Sequence, residues 1–333
     1  NYLLPGLIDL HNDTLEKEIE PRPNVFFPLR QAFFSLENSL ICNGITTIFH
    51  SLSFASGELG VRDPAKVESI IRNIRDIKKK GLINHKVHLR YEITDNHSVS
   101  KIILLIEEGF VDLLSFMDHT PGQGQFRLYE NYYQYLHRTY NMDHHEVDDI
   151  VRNKMDVSEL EKITNIVELA RVAGKNDVKI ASHDDDNISR LTFMYEQGVS
   201  ICEFPINLKI VREAVARGMY VEVGAPNIIR NKSSAGNLKA IDVIKDGISP
   251  ILTSDYLPST LLLSIFKLKN KYPLPYLVKM ATLSPAEALG ISKQYGSIET
   301  GKTANFILVR EDDGYPYVQK VFINGRRVFS LYR

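Results

Sequence analysis

Apolar, β-rich runs of four to eight residues recur along the chain. Each gives way to a polar cluster and then to a pattern with helical period. The runs lie at 7–10, 45–49, 87–91, 111–117, 178–181, 199–202, 220–223 and 248–252. Helix signals fall between them. Asp63-Pro64 reads as an N-cap with proline at the first helical position, and that pattern runs to Gly81. Ser158 and Glu161 form a capping box for a helix that Gly174 would stop. Similar segments span 187–198 and 207–218.

Eight strands alternating with helices predict a parallel sheet, and eight is the number that closes a TIM-type (β/α)8 barrel. An open, doubly wound sheet shares the alternation but does not require ionisable residues at nearly every strand end. Two connections are long: 11–44, rich in proline, and 119–157, carrying Tyr129, Tyr132, Tyr133, Tyr135 and Tyr140. Loops of that length are usually lids or binding walls. We therefore expect a barrel over residues 1–290. The tail 291–333 is expected to form a small β-sandwich portion, incomplete because its N-terminal half is missing from the sequence.

The ionisable residues sit where a barrel does chemistry, at the C-terminal ends of its strands. Strand one ends in His11 and Asp13, two apart and so expected on one face. Strand three ends in Arg90 and Glu92, strand four in Asp118 and His119, and strand five in His183, Asp184, Asp185 and Asp186. Strand six adds Glu203 and strand eight Asp255. Unpaired carboxylates repel one another in a cavity of low dielectric, and a cation relieves this. Each residue also has a plain structural role open to it. Asp185 or Asp186 could cap a helix, His119 and His50 could be hydrogen-bonded strand-end histidines, and Glu92 could pair with Arg90. Taken together, His11, Asp13, His183 and Asp255 point to one or two divalent cations, with Zn, Mn or Fe favoured over Mg by the histidines.

Composition narrows the rest. The chain has 333 residues with a net charge of −1, which offers no basic field for nucleic acid. Its two cysteines, Cys42 and Cys202, lie in apolar runs, so a disulfide scaffold is not expected and a reducing cytoplasm is the expected setting. No apolar stretch approaches the ~20 residues of a membrane span. Neither GxGxxG, GxxxxGK[ST] nor GxSxG occurs.

Several longer segments carry a resemblance. They are PGLIDLHND at 5–13, GITTIF at 44–49, HLRYE at 88–92, MDHTPGQGQF at 117–126, ASHDD at 181–185, CEFP at 202–205, VGAPNIIR at 223–230 and SDYLP at 254–258, followed by SPAEALGI and GSIETGKTANFILV in the tail. In these the chain resembles the amidohydrolase superfamily and, within it, the alpha-D-ribose 1-methylphosphonate 5-triphosphate diphosphatase family. The resemblance implies that His11, Asp13, Glu92, His183 and Glu203 are metal ligands. Asp255 would orient the attacking water and take its proton, and would also be able to bind metal. Three departures stand out. The family's H-T-D-N-L-E reads His11-Asn12-Asp13-Thr14-Leu15-Glu16 here, Ile206 and Asn207 replace two threonines, and the loop 231–237 lacks a histidine.

The reaction expected from this resemblance is attack of metal-activated water on a phosphorus of a ribose 1-alkylphosphonate 5-triphosphate, releasing pyrophosphate. A polyanionic substrate needs cationic partners, for which Arg90, Arg127 and Arg230 are candidates, with Lys232 behind them. The backbone of Gly122-Gln123-Gly124 could cradle phosphate, and Asp118, His119 and Asp184 join the substrate-binding set. Two other readings remain open: hydrolysis of an amide or N-acetyl group in a small molecule, and a barrel that binds metal without turnover. No nucleic acid or membrane partner is expected, and a homo-oligomer is left open.

Overall fold

A computed structural model describes residues 1–55, 60–120, 129–140, 142–233 and 237–332, with backbone alone at 131, 135 and 138–140. After a short strand β1 (Tyr2–Pro5), eight parallel strands are hydrogen-bonded in chain order: β2 (Leu7–Asn12), β3 (Ile45–Phe54), β4 (Asn84–Glu92), β5 (Leu113–Met117), β6 (Lys179–His183), β7 (Ile201–Glu203), β8 (Tyr220–Gly224) and β9 (Ile251–Thr253). They form the predicted barrel, and all eight apolar runs of the sequence contribute to it. Ile8, Phe49, Leu113, Ala181, Ile201 and Ile251 pack inside its foot against Ala286 and Ala288. The opposite faces of the strands pack on the surrounding helices in the main core.

The capping signals act as read. Asp63 accepts from the backbone N–H groups of Ala65 and Lys66 at the start of helix Pro64–Ile77. Both halves of the Ser158/Glu161 box are present on helix Glu159–Lys175, which runs one residue past Gly174 before Asn176 ends it. Asn187 and Asn207, rather than Asp185 or Asp186, cap the helices that follow β6 and β7.

The long connections hold helices. Thr14–Ile19 and Leu29–Cys42 lie in the first, Tyr129–Tyr140 and His144–Met155 in the second. The latter pair buries Tyr132, Tyr133, Leu136, Val147 and Val151 in a cluster of its own, apart from the barrel core.

The tail strands β10 (Phe306–Asp312), β11 (Tyr315–Ile323) and β12 (Arg326–Ser330) form an antiparallel sheet whose order is β1–β10–β11–β12. The strand at the start of the chain therefore belongs to the small sheet, with Tyr2 opposite Val309.

First and last barrel strands meet over the mouth without a regular ladder. The Asp13 N–H donates to the Asp255 carbonyl (3.0 Å) and the Asp255 N–H to the His11 carbonyl (2.9 Å). Below them the Asp9 carboxylate accepts from the Ser254 N–H (2.9 Å) and hydroxyl (2.5 Å), and Asn12 Nδ2 donates to Ser254 Oγ (2.6 Å). A bulge in β2 between Asp9 and Asn12 interrupts the two-residue alternation expected there. Asp13 leaves the strand as the residue preceding helix Thr14–Ile19.

Burial pushes the Asp9 carboxyl up to about 7, against the hydrogen bonds from Ser254 and Asn12. An unfolded aspartate loses its proton at about pH 4, so in the window between, the native state holds the extra proton and stability from this group falls as pH rises. Asp9→Asn removes that dependence. Urea unfolding in steps from about pH 4 to about pH 8 is expected to show the variant gaining on the wild type as pH rises. A constant difference would mean that Asp9 is ionised throughout.

Candidate active site

Eight strand ends converge on one mouth, and their side chains fall into two adjoining groups. In the first, one ligand atom each of His11, His88 and Glu203 lies within 4.8 Å of the others; in the second, the same holds for His119, His183 and Asp184. The groups are neighbours, since the rings of His11 and His183 are 5.7 Å apart. Of the residues singled out from sequence, the structure gathers His11, His183, Glu203, His119 and Asp184 in these groups. Asp13 and Asp255 stand at the seam beside them, and Asp13 raises the Asp255 carboxyl, after burial, to about 6.

The groups are short of positive charge. Burial first, then the nearby Arg90 guanidinium and His183, hold His11 well below the usual imidazole range, and burial lowers His88 to about 3. Both rings are therefore neutral at physiological pH. His88 Nδ1 faces the Leu10 carbonyl (3.0 Å), which can only accept, so Nδ1 carries the hydrogen. His88 Nε2 then accepts from the Ser115 hydroxyl (2.9 Å) and lies 3.6 Å from Glu203 Oε1, which is within hydrogen-bond distance of His11 Nδ1 (3.4 Å). Glu203 Oε2 and Asp13 Oδ1 are buried with no hydrogen-bond partner among the described residues. His183 Nδ1 and Asp184 Oδ2 lie 3.0 Å apart without the alignment of a hydrogen bond. Buried lone pairs facing one another in this way suit a cation, and the N/O donor set fits a divalent one.

Backbone strain is concentrated at the same place. Asp184, Phe204 and Asp255, each just after a barrel strand, have positive φ of 57°, 48° and 58°. For an aromatic residue that region is costly. Phe204 spends it packing its ring edge-on to His11 (5.0 Å) and against His183 (5.1 Å), an apolar wall over both groups.

Glu92 is engaged by its neighbours. Its Oε1 accepts from the His119 N–H (3.1 Å), and its Oε2 lies 3.2 Å from His119 Nδ1 and 3.3 Å from Lys154 Nζ. Burial opposes its charge, but Lys154 and His119 hold the carboxyl well below the usual carboxylate range. Arg90 is buried at the mouth, and its Nε has no partner among the described residues. Arg190 braces two strand ends, with Nη1 3.2 Å from Asp118 Oδ2 and Nε 3.3 Å from Asp185 Oδ1. Arg230 is exposed, with Nη1 3.3 Å from the Tyr256 hydroxyl. Gln123, Gly124 and Arg127 lie outside the described residues.

Four site residues escaped the sequence reading. His88 continues the Arg90–Glu92 alternation one step down the strand, a signal that was available. Glu222, opposite Glu203 in register, is one acid in an apolar run; burial, then Glu203 and Asp9, push its carboxyl well above the usual range. Lys154 and Arg190 lie on helices, where a cation gives no signal.

The amidohydrolase family matches the chain over residues 2–328. The chain is 32% identical over 334 residues, 98% of its own length and 88% of the relative's, to alpha-D-ribose 1-methylphosphonate 5-triphosphate diphosphatase of Escherichia coli (strain K12). Solved structures of similar fold include 5-methylcytosine deaminase from Klebsiella pneumoniae (TM-score 0.66, 14% identity, covering 99% of this chain and 87% of that one). N-acetylglucosamine-6-phosphate deacetylase from Pasteurella multocida is another (TM-score 0.60, 12% identity, 98% and 86%).

Removing Arg190 would leave Asp118 and Asp185 without their shared cation in a buried setting. Arg190→Met is expected to cost about 3–5 kcal/mol of stability, as for other broken buried ion pairs. Chemical denaturation checks this, and a loss below about 1 kcal/mol would show the brace to be a surface pair in effect.

Proposed function

The chain belongs to the amidohydrolase family, and on that premise we propose that it is a metal-dependent diphosphatase acting on a small phosphorylated sugar, a ribose 1-alkylphosphonate 5-triphosphate. The observation that carries the metal requirement is the gathering of imidazole nitrogens and carboxylate oxygens into two adjoining groups at the mouth, with Glu203 Oε2, His183 Nδ1 and Asp184 Oδ2 buried and without hydrogen-bond partners among the described residues. The substrate class rests on the relative with which the chain shares nearly its whole length.

A divalent cation of Zn, Mn or Fe held by these groups would make water acidic enough to ionise near neutrality and offset charge on phosphoryl oxygens. The protein's own residues supply the rest. The Asp255 carboxylate takes the proton of the attacking water, a role suited to a carboxyl raised to about 6. The water oxygen forms a bond to phosphorus, the bridging P–O bond breaks, and pyrophosphate leaves. Arg90 faces the polyanion with a buried guanidinium, whose planar fork matches phosphate oxygens. Phe204 keeps bulk water from the reacting atoms. Asp118 holds Arg190 and the Thr120 N–H, which supports a role in shaping the wall.

Metal-stripped protein given Mn²⁺, Zn²⁺ or Mg²⁺ is expected to release pyrophosphate from a ribose 5-triphosphate analogue only after metal is restored. Silence from folded, metal-loaded protein would instead favour hydrolysis of an amide or N-acetyl group. Asp255→Asn is expected to lower kcat by about 10²–10⁴-fold while metal content stays near wild type. Loss of metal together with turnover would make Asp255 a ligand rather than a base.

A further inference from the structure

The strand that carries the first candidate ligand is irregular around that ligand. Asp9 pairs with Ile48 and Asn12 with His50, but Leu10 and His11 have no partner in register on β3. A bulge of this kind leaves backbone polar groups to be held by side chains. Ser51, His88 and Ser115, all fully buried, supply that hold. After His11, the Asn12 N–H donates to the Ser51 hydroxyl (3.1 Å). Before it, the Leu10 carbonyl accepts from His88 Nδ1 (3.0 Å), which reaches past β3 from β4.

His88 is itself fixed at both nitrogens. Its Nδ1 also lies 3.2 Å from Ser51 Oγ, and its Nε2 lies 2.9 Å from Ser115 Oγ. Because the Leu10 carbonyl can only accept, Nδ1 of the neutral ring carries the hydrogen and the Ser115 hydroxyl donates to Nε2. The ring so held meets His11 edge-on, with centroids 5.2 Å apart and planes at 87°. By distance alone His88 could share a cation with His11 and Glu203. The lone pair it would offer is already engaged by Ser115.

We propose that His88 is a positioning residue rather than a ligand: with Ser51 and Ser115 it grips the backbone on both sides of His11 and so sets the direction in which that imidazole faces the metal. The inference rests on the metal-dependent reading above and gives β3, β4 and β5 a part in aiming a ligand carried by β2.

Chelator competition for Co²⁺ tests this on the full chain, with the number of bound ions and the visible spectrum of the loaded protein recorded together. Ser51→Ala removes no candidate ligand, yet it is expected to weaken Co²⁺ binding by about 10-fold and to shift the spectrum at an unchanged ion count, as loss of an orienting partner does. Ser115→Ala is expected to act in the same direction. His88→Leu is expected to weaken binding by about 100-fold. His88→Gln, which can still donate to Leu10 and accept from Ser115, is expected to recover part of that loss with the wild-type number of ions. Wild-type affinity and spectrum in Ser51→Ala, tighter binding in Ser115→Ala, or one ion fewer in His88→Gln would overturn the proposal and leave the metal reading intact. A wild-type chain that binds no Co²⁺ would overturn both.

Discussion

The structure depends on closing a barrel whose first and last strands scarcely pair. Where β2 meets β9, two backbone hydrogen bonds at the rim and a knot of Asp9, Asn12 and Ser254 beneath replace a continuous ladder. The last strand is only three residues long, so side chains have to hold the seam. Those side chains are polar and buried, and they neighbour the residues that carry the chemistry. His11 and Asp255 exchange a backbone bond across the seam, so the positions of a candidate ligand and a candidate base are set by the closure itself. Any distortion of the seam moves both.

A second consequence is electrical. Closing the barrel buries Asp9, Glu203 and Glu222 near one another, with Asp255 beside them and neutral imidazoles between, and the Arg90 guanidinium acts on both His11 and Asp255. Such a cavity is costly when its charges are left unmatched and favours an arriving cation. The left-handed backbone at Asp184, Phe204 and Asp255 belongs to the same economy, since the chain accepts local strain where side chains must be turned into the mouth.

Much of this was legible in the chain. Eight apolar runs stood at eight strands because a buried parallel strand needs an apolar face on the helix side whatever else it does. The capping box at Ser158 and the Asp63-Pro64 start were read correctly because local hydrogen bonds satisfy local donors. Charged strand ends showed where the mouth lies. What stayed hidden depends on distant partners. Asp185 looked like a helix cap and is instead a buried bracket for Ser182 and Arg190, which only the packing of two neighbouring strands reveals. Lys154 lay in a connection whose sequence shows tyrosines and charges but no partner. Glu92 was open to pairing with Arg90 and, by the resemblance, to metal; its contacts with Lys154 and His119 appear only in three dimensions. β1 was absorbed into the barrel because its partner is some three hundred residues away, opposite Val309.

That last pairing bears on how the protein is made. Strand β2, which carries His11, follows β1 after a single residue, Gly6, and β1 finds its partner only when β10 has been synthesised. Until then the earliest barrel strand has no clamp at its foot, although its neighbours β3 and β4 already exist. Contacts of such long sequence separation form slowly because loop closure must precede them. Everything from β2 to β10 must therefore be made before the strand that bears the first candidate ligand is secured at both ends, and maturation of the centre is tied to synthesis of the tail sheet.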